Sequence, residues 1–159
     1  RYPGFTSAIW QCHPQSRGSI EIIHPDPTAD PKIQPNYLAD ELDQKTMIEG
    51  IKILRKIYKQ PKFQDLWDAE IIPGEQVKTD AEIIDAIRKG GGTVYHPVGT
   101  CKMGIDAAAV VGPDLLVHGV AGLRVVDASI MPLITSANTN APTLMIAEKA
   151  AEMILASGN

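Results

Sequence analysis

Tyr95-His96-Pro97-Val98-Gly99-Thr100-Cys101-Lys102-Met103-Gly104 is answered further along the chain by Asn138-Thr139-Asn140-Ala141-Pro142-Thr143, which opens an apolar run reaching Leu155. In the first stretch, Pro97, Gly99 and Gly104 interrupt any regular strand and leave an irregular backbone that presents side chains, His96 among them. In the second, Asn140 stands just ahead of Ala-Pro-Thr, the pattern of a helix N-cap with proline tolerated in the first turn. Each residue has a structural reading, a hydrogen-bonded histidine and a helix cap. Each also has a chemical one, because an imidazole exchanges protons near neutral pH and a helix N-terminus carries free N–H groups and positive partial charge that stabilise an anion.

Working outward, Gly90-Gly91-Gly92 marks a change of character and divides the chain into residues 1–90 and 91–159. Apolar and polar residues alternate around Thr6 to Gln11 and again from Ser19 to Ile23, divided by His13-Pro14-Gln15-Ser16-Arg17-Gly18, which predicts a β-hairpin or paired strands. From His24-Pro25-Asp26-Pro27 to Pro35 the chain reads as a loop. Asp40 is placed to cap a helix running to about Lys59, since Met47, Ile51, Leu54 and Tyr58 recur at helical spacing and Ile48 and Ile57 widen the stripe, with Pro61 as the stop. Thr79 or Asp80 caps a further helix through Ile83, Ile84 and Ile87 toward Lys89, ended by the triple glycine.

Beyond Gly92, Val110 to Gly119 suggests a small strand-turn arrangement, and Leu123-Arg124-Val125-Val126-Asp127 is a short β run. Asp127 ends that run, where open α/β sheets place ligand contacts, although Ala128-Ser129 after it equally suits a turn or cap. The run from Pro142 to Leu155 is apolar on more than one face, which predicts a last helix buried against a sheet.

Composition narrows the function classes. At 159 residues and 17.2 kDa the length suits one domain. A net charge of -4 without a basic cluster argues against a nucleic-acid surface. No apolar run approaches the roughly 18 residues of a spanning helix, and a cytoplasmic or peripherally membrane-associated protein is expected. Cys12 and Cys101 are too few for a disulfide scaffold and form no Cys-x-x-Cys pair; a structural thiol is the default for each, one bridge between them the other option, and no metal site is expected. The chain carries no Gly-x-Gly-x-x-Gly turn for a dinucleotide pyrophosphate and opens at Arg1, which suggests the C-terminal part of a longer polypeptide.

The order and spacing of His96, Gly119-Leu123-Val126-Asp127 and Asn138-Asn140-Pro142, together with Gln15-Ser16-Arg17-Gly18 and Asn36-Tyr37, resemble the C-terminal part of the glucose-methanol-choline family of FAD-dependent oxidoreductases over essentially the whole chain. Within it, the choline dehydrogenase branch, with Asn in the second motif, is the most similar. The resemblance implies an α/β class: residues 1–90 within a substrate domain built on an antiparallel sheet, and residues 91–159 supplying the catalytic loop and the last strand and helix of a Rossmann-like FAD domain.

It further implies oxidation of an alcohol to an aldehyde, with hydride passing to flavin N5. His96 would be the base or its chief hydrogen-bond partner, an imidazole suiting the work because its ordinary pKa near 6.5 leaves the neutral form available at neutral pH. Asn140 would hydrogen-bond the alcohol oxygen as it gains negative charge. Asp127 and Ala128 would contact the ribityl-pyrophosphate part of FAD, Ala141, Pro142 and Thr143 would lie at the flavin's pyrimidine edge, and Asn138 would also bind the cofactor. The electron acceptor would be oxygen or a quinone. The alcohol is open: choline normally needs an aromatic cage, and the Trp, Tyr and Phe of this chain are not clustered in sequence. Two rival classes are a thiol hydrolase using Cys101 with His96, disfavoured by their closeness in a glycine-rich loop, and a non-enzymatic domain that keeps the fold without flavin. A segment that lends one strand and one helix to a sheet built elsewhere should be marginally stable when isolated.

Overall fold

The computed structural model describes residues 3–158, and these form two compact units. One gathers residues up to Gln11, Gln15–Arg17 and Asn36–Val94; the other gathers Cys12–Pro14, Gly18–Pro35 and residues from Tyr95 onward.

The first unit is built on two helices, α1 (Glu41–Tyr58) and α2 (Asp80–Gly90). Asp40 caps α1 by accepting the Leu42 N–H at 2.8 Å. Thr79 caps α2 in a reciprocal capping box: its hydroxyl accepts the Glu82 N–H while the Glu82 carboxylate accepts the Thr79 N–H at 2.8 Å. The apolar stripes of both helices meet in a core of Ile48, Ile83 and Ile84, flanked by Leu38, Ile51, Val77 and Ile87. After a 3-10 turn at Pro61–Phe63, Phe63 meets Tyr58 edge-on, and Trp67 stacks on Tyr58 with ring centres 4.8 Å apart. These aromatics, with Phe5, form a cluster that spacing along the chain conceals.

The expected strand at Thr6–Gln11 is absent; this segment is held by side chains instead, Gln11 Nε2 reaching Asp43 and Thr46 of α1 at 3.5 and 3.4 Å. Asp43 also gathers the N–H groups of Gln15 and Ser16, so the chain ahead of Arg17 follows a helix instead of pairing as a ladder.

The strand predicted at Ser19–Ile23 exists in shortened form as β1 (Ser19–Glu21), but its partner is β2 (Lys32–Gln34), inside the stretch expected to be loop. The pairing is antiparallel, with Ile20 opposite Ile33. Asp26 turns the intervening chain by accepting the Thr28 N–H and hydroxyl at 2.9 and 2.8 Å, a local side-chain turn. This hairpin belongs to the second unit.

The core of the second unit is Val111, Leu115, Ile130 and Ala150, surrounded by Met103, Val117, Val125, Val126, Ile146 and Met153. Short extended segments lace it together. Val111 bridges both Met103 and Val117, and a tight turn from Gly112 puts Leu115 in the left-handed region at φ 66°. Among the described residues Leu123–Val126 pairs with no other strand: Val117 N–H donates to Leu123 O at 2.9 Å and Val125 N–H to Leu115 O at 3.2 Å, leaving a single antiparallel bridge, Leu116 to Arg124. The last helix, α3 (Asn140–Ala156), packs Ile146, Ala150 and Met153 on this core. Of its other apolar residues, Leu144, Met145 and Leu155 are exposed, so among the described residues α3 is covered on one face, not buried against a sheet.

Candidate active site

The loop after Tyr95 is fixed from beneath by a single short 3-10 turn, Ala128–Ile130. Asp127 caps that turn, its carboxylate accepting the Ser129 N–H at 2.7 Å. The turn's carbonyls then receive the loop: Cys101 N–H donates to Ser129 O at 3.0 Å and Met103 N–H to Ile130 O at 2.8 Å. Gly99 has φ 85°, and a Cβ there would stand 3.3 Å from Met131 O, so the loop's close approach to this turn requires glycine.

With its base so held, the loop turns the half-buried His96 to the start of α3, where Nδ1 lies 3.0 Å from the hydroxyl oxygen of Thr139. Thr139 is the N-cap, a correction to the placing of Asn140 there: Thr143 N–H closes the first helical turn on Thr139 O at 3.0 Å, and Asn140 is already helical. The Thr143 hydroxyl donates to the same carbonyl at 2.7 Å. Unlike most threonine caps, Thr139 makes no side-chain cap bond to its own helix. The third helical residue is Pro142, which has no N–H to offer, and the hydroxyl goes to His96 instead.

Of the residues singled out in the sequence, His96 and the opening of α3 therefore come together. Asn138 and Asn140 flank the buried Thr139 and are both exposed; Ala141 is exposed, while Pro142 and Thr143 are half-buried. The N–H groups of Asn140 and Ala141 find no protein acceptor among the described residues, as first-turn N–H groups of a helix do not. An electron-rich group placed beside them would meet both donors and the positive helix end, so this terminus fits the anionic edge of a reduced flavin ring. Asp127 and the half-buried Ala128 sit on the supporting turn.

Thr139 is the residue that the sequence reading missed, hidden between two asparagines; a threonine directly ahead of Asn-Ala-Pro was the available signal. His13, read only as structural, places Nε2 2.7 Å from the Ser136 hydroxyl, on the segment that leads into α3. Both cysteines are free thiols, and the His96 ring nitrogen is engaged with Thr139, not with Cys101. No group of three His, Cys, Asp or Glu able to hold a metal is found among the described residues, and no helix among them is long and apolar enough to cross a membrane.

A family model described as GMC oxidoreductase matches residues 14–147, a span that contains His96, the supporting turn and the opening of α3. The chain belongs to the GMC oxidoreductase family. It matches the C-terminal domain of that family, whose members bind FAD. It is 53% identical over 152 residues to an alcohol dehydrogenase [acceptor] of Pseudomonas putida, covering 96% of this chain and 28% of that protein. With an oxygen-dependent choline dehydrogenase of Paraburkholderia xenovorans the identity is 44% over 154 residues, covering 97% and 28%. Among solved structures, an FAD-dependent oxidoreductase from Chaetomium thermophilum superposes with a TM-score of 0.86 at 29% identity, over 92% of this chain and 26% of that one. The chain thus spans about 28% of the length of these curated relatives.

Proposed function

We propose that the polypeptide containing this chain oxidises an alcohol to an aldehyde, with His96 as the base that takes the hydroxyl proton. The observation that carries this reading is the 3.0 Å contact between His96 Nδ1 and Thr139 Oγ1, which brings a titratable ring to the donor-rich start of α3 in a GMC oxidoreductase. FAD, when bound, supplies the hydride acceptor. Everything else asked of this chain is binding, orientation and proton handling.

With Nδ1 turned to Thr139, the nitrogen left to meet an alcohol is Nε2. Acid-base assistance of this kind is typically worth about 100- to 10,000-fold in rate. Asn140, which takes up no proton, hydrogen-bonds the alcohol oxygen as negative charge grows on it; Asn138, on the other side of Thr139, lies with Ala141, Pro142 and Thr143 at the flavin's pyrimidine edge. Asp127 and Ala128 contact the ribityl-pyrophosphate portion of FAD. Residues 1–90 contribute to a substrate domain with an antiparallel sheet, and residues 91–159 complete the FAD domain. Electrons leave to oxygen or a quinone-type acceptor; of the two curated relatives, one is named for oxygen and the other for an unspecified acceptor. Replacing His96 by alanine in the full-length protein, and measuring turnover on a panel of alcohols with and without oxygen, tests the assignment of the base.

A further inference from the structure

We infer that Thr139 is a positioning residue that fixes the tautomer of His96, accepting a hydrogen bond from Nδ1–H and so leaving the Nε2 lone pair facing the substrate alcohol. The inference rests on the reading of His96 as the base and deepens it.

Three features of α3 fix the contact, and its direction follows from the reading of His96 as the base. An N-cap threonine ordinarily accepts from the N–H of the second or third helical residue. In this helix the third is Pro142, which has none, and the Thr139 hydroxyl makes no cap bond at all. The helix thus forgoes a stabilising cap bond at its own end. Second, Thr139 is only 8% exposed, so its hydroxyl is largely removed from water and its contact with His96 is its one side-chain hydrogen bond among the described residues. Third, the Thr139 backbone is held where it is, because its carbonyl receives both the N–H and the hydroxyl of Thr143, at 3.0 and 2.7 Å. The hydroxyl oxygen therefore stands at a fixed place beside the ring.

A neutral imidazole carries one N–H and one lone pair, and the partner of one nitrogen decides which the other bears. With the proton on Nδ1 shared to Thr139 Oγ1, Nε2 is free to take the alcohol proton. When it does, the ring becomes an imidazolium whose Nδ1–H still points at the same oxygen, so no reorientation accompanies the transfer. The opposite arrangement, with the hydroxyl donating to Nδ1, would put a hydrogen on Nε2 and remove the acceptor from the substrate side.

The test uses the full-length flavoprotein with 15N-labelled histidine, the His96 signals being assigned by their loss in His96→Ala. The wild type should show the Nδ1–H form; Thr139→Val, which keeps the shape and removes the oxygen, should move His96 to the Nε2–H form that free imidazole side chains favour; Thr139→Ser should restore the wild-type pattern. Turnover should follow, kcat falling about 10- to 100-fold in Thr139→Val with KM little changed and recovering in Thr139→Ser, the scale known for the outer partners of metal-bound histidines. An Nδ1–H signal that persists in Thr139→Val, or an Nε2–H signal in the wild type, overturns the inference. Should the tautomer shift as expected while His96→Ala turns over normally, Thr139 positions the ring but the assignment of His96 as the base is wrong.

Discussion

Ser16 is joined twice to one oxygen of Asp43, its N–H at 2.8 Å and its hydroxyl at 2.5 Å. Asp43 itself is 2% exposed, on the third helical position after the Asp40 cap, and it also accepts the Gln15 N–H at 2.9 Å. One buried carboxylate therefore anchors to α1 the segment between the two runs whose alternation predicts a hairpin.

Removing that carboxylate should strand several buried donors at once. Asp43→Ala is expected to destabilise the protein by about 2–3 kcal/mol, the scale of leaving buried partners of a charged hydrogen-bonding group unsatisfied. Asp43→Asn, which keeps an acceptor oxygen, should cost less. Denaturant midpoints of the full-length protein measured for both variants check the order.

The same residue sets an acid limit. Burial tends to raise the Asp43 pKa, but the Ser16 hydroxyl, the Gln15 and Ser16 N–H groups and the Gln11 side chain together outweigh it and hold the carboxyl below its ordinary value. Because the folded-state pKa lies below the unfolded one, the stabilisation is complete above the unfolded pKa and is lost as pH falls through the folded one. The stability gap between wild type and Asp43→Asn should therefore be constant near neutral pH and shrink from about pH 5 downward. A gap that widens on acidification would contradict this assignment.

Local signals served the helices well, because they are short-range: Asp40 and Thr79 cap α1 and α2 where the sequence places them, and Ile48, Ile83 and Ile84 form the buried core. The strands were less legible. Ser19–Glu21 pairs with Lys32–Gln34 across a Pro- and Asp-rich stretch that reads as loop, and Leu123–Val126 folds back on the 115–117 turn, since pairing depends on which segments tertiary structure brings alongside. At the candidate site, the two motifs mark segments that the fold brings side by side, whereas the His96–Thr139 contact itself depends on a rotamer and a loop path that no pattern of residue types encodes.

Thr139 separates two exposed amides, and the proposal gives them different work. Asn140→Ala should lower kcat by about 10- to 100-fold, the scale of one donor to a developing oxyanion or somewhat less, with FAD retained. Asn138→Ala should act on FAD affinity more than on the chemical step. Stopped-flow reduction by the alcohol, together with flavin content, distinguishes the two; the reverse pattern would exchange their roles.

The central claim is that His96 takes the alcohol proton, and the rate of anaerobic flavin reduction by a saturating alcohol tests it most directly. In full-length His96→Ala with FAD bound, that rate should fall about 100- to 10,000-fold, the usual contribution of a positioned acid-base group. Reduction at a near-normal rate in that variant would contradict the account.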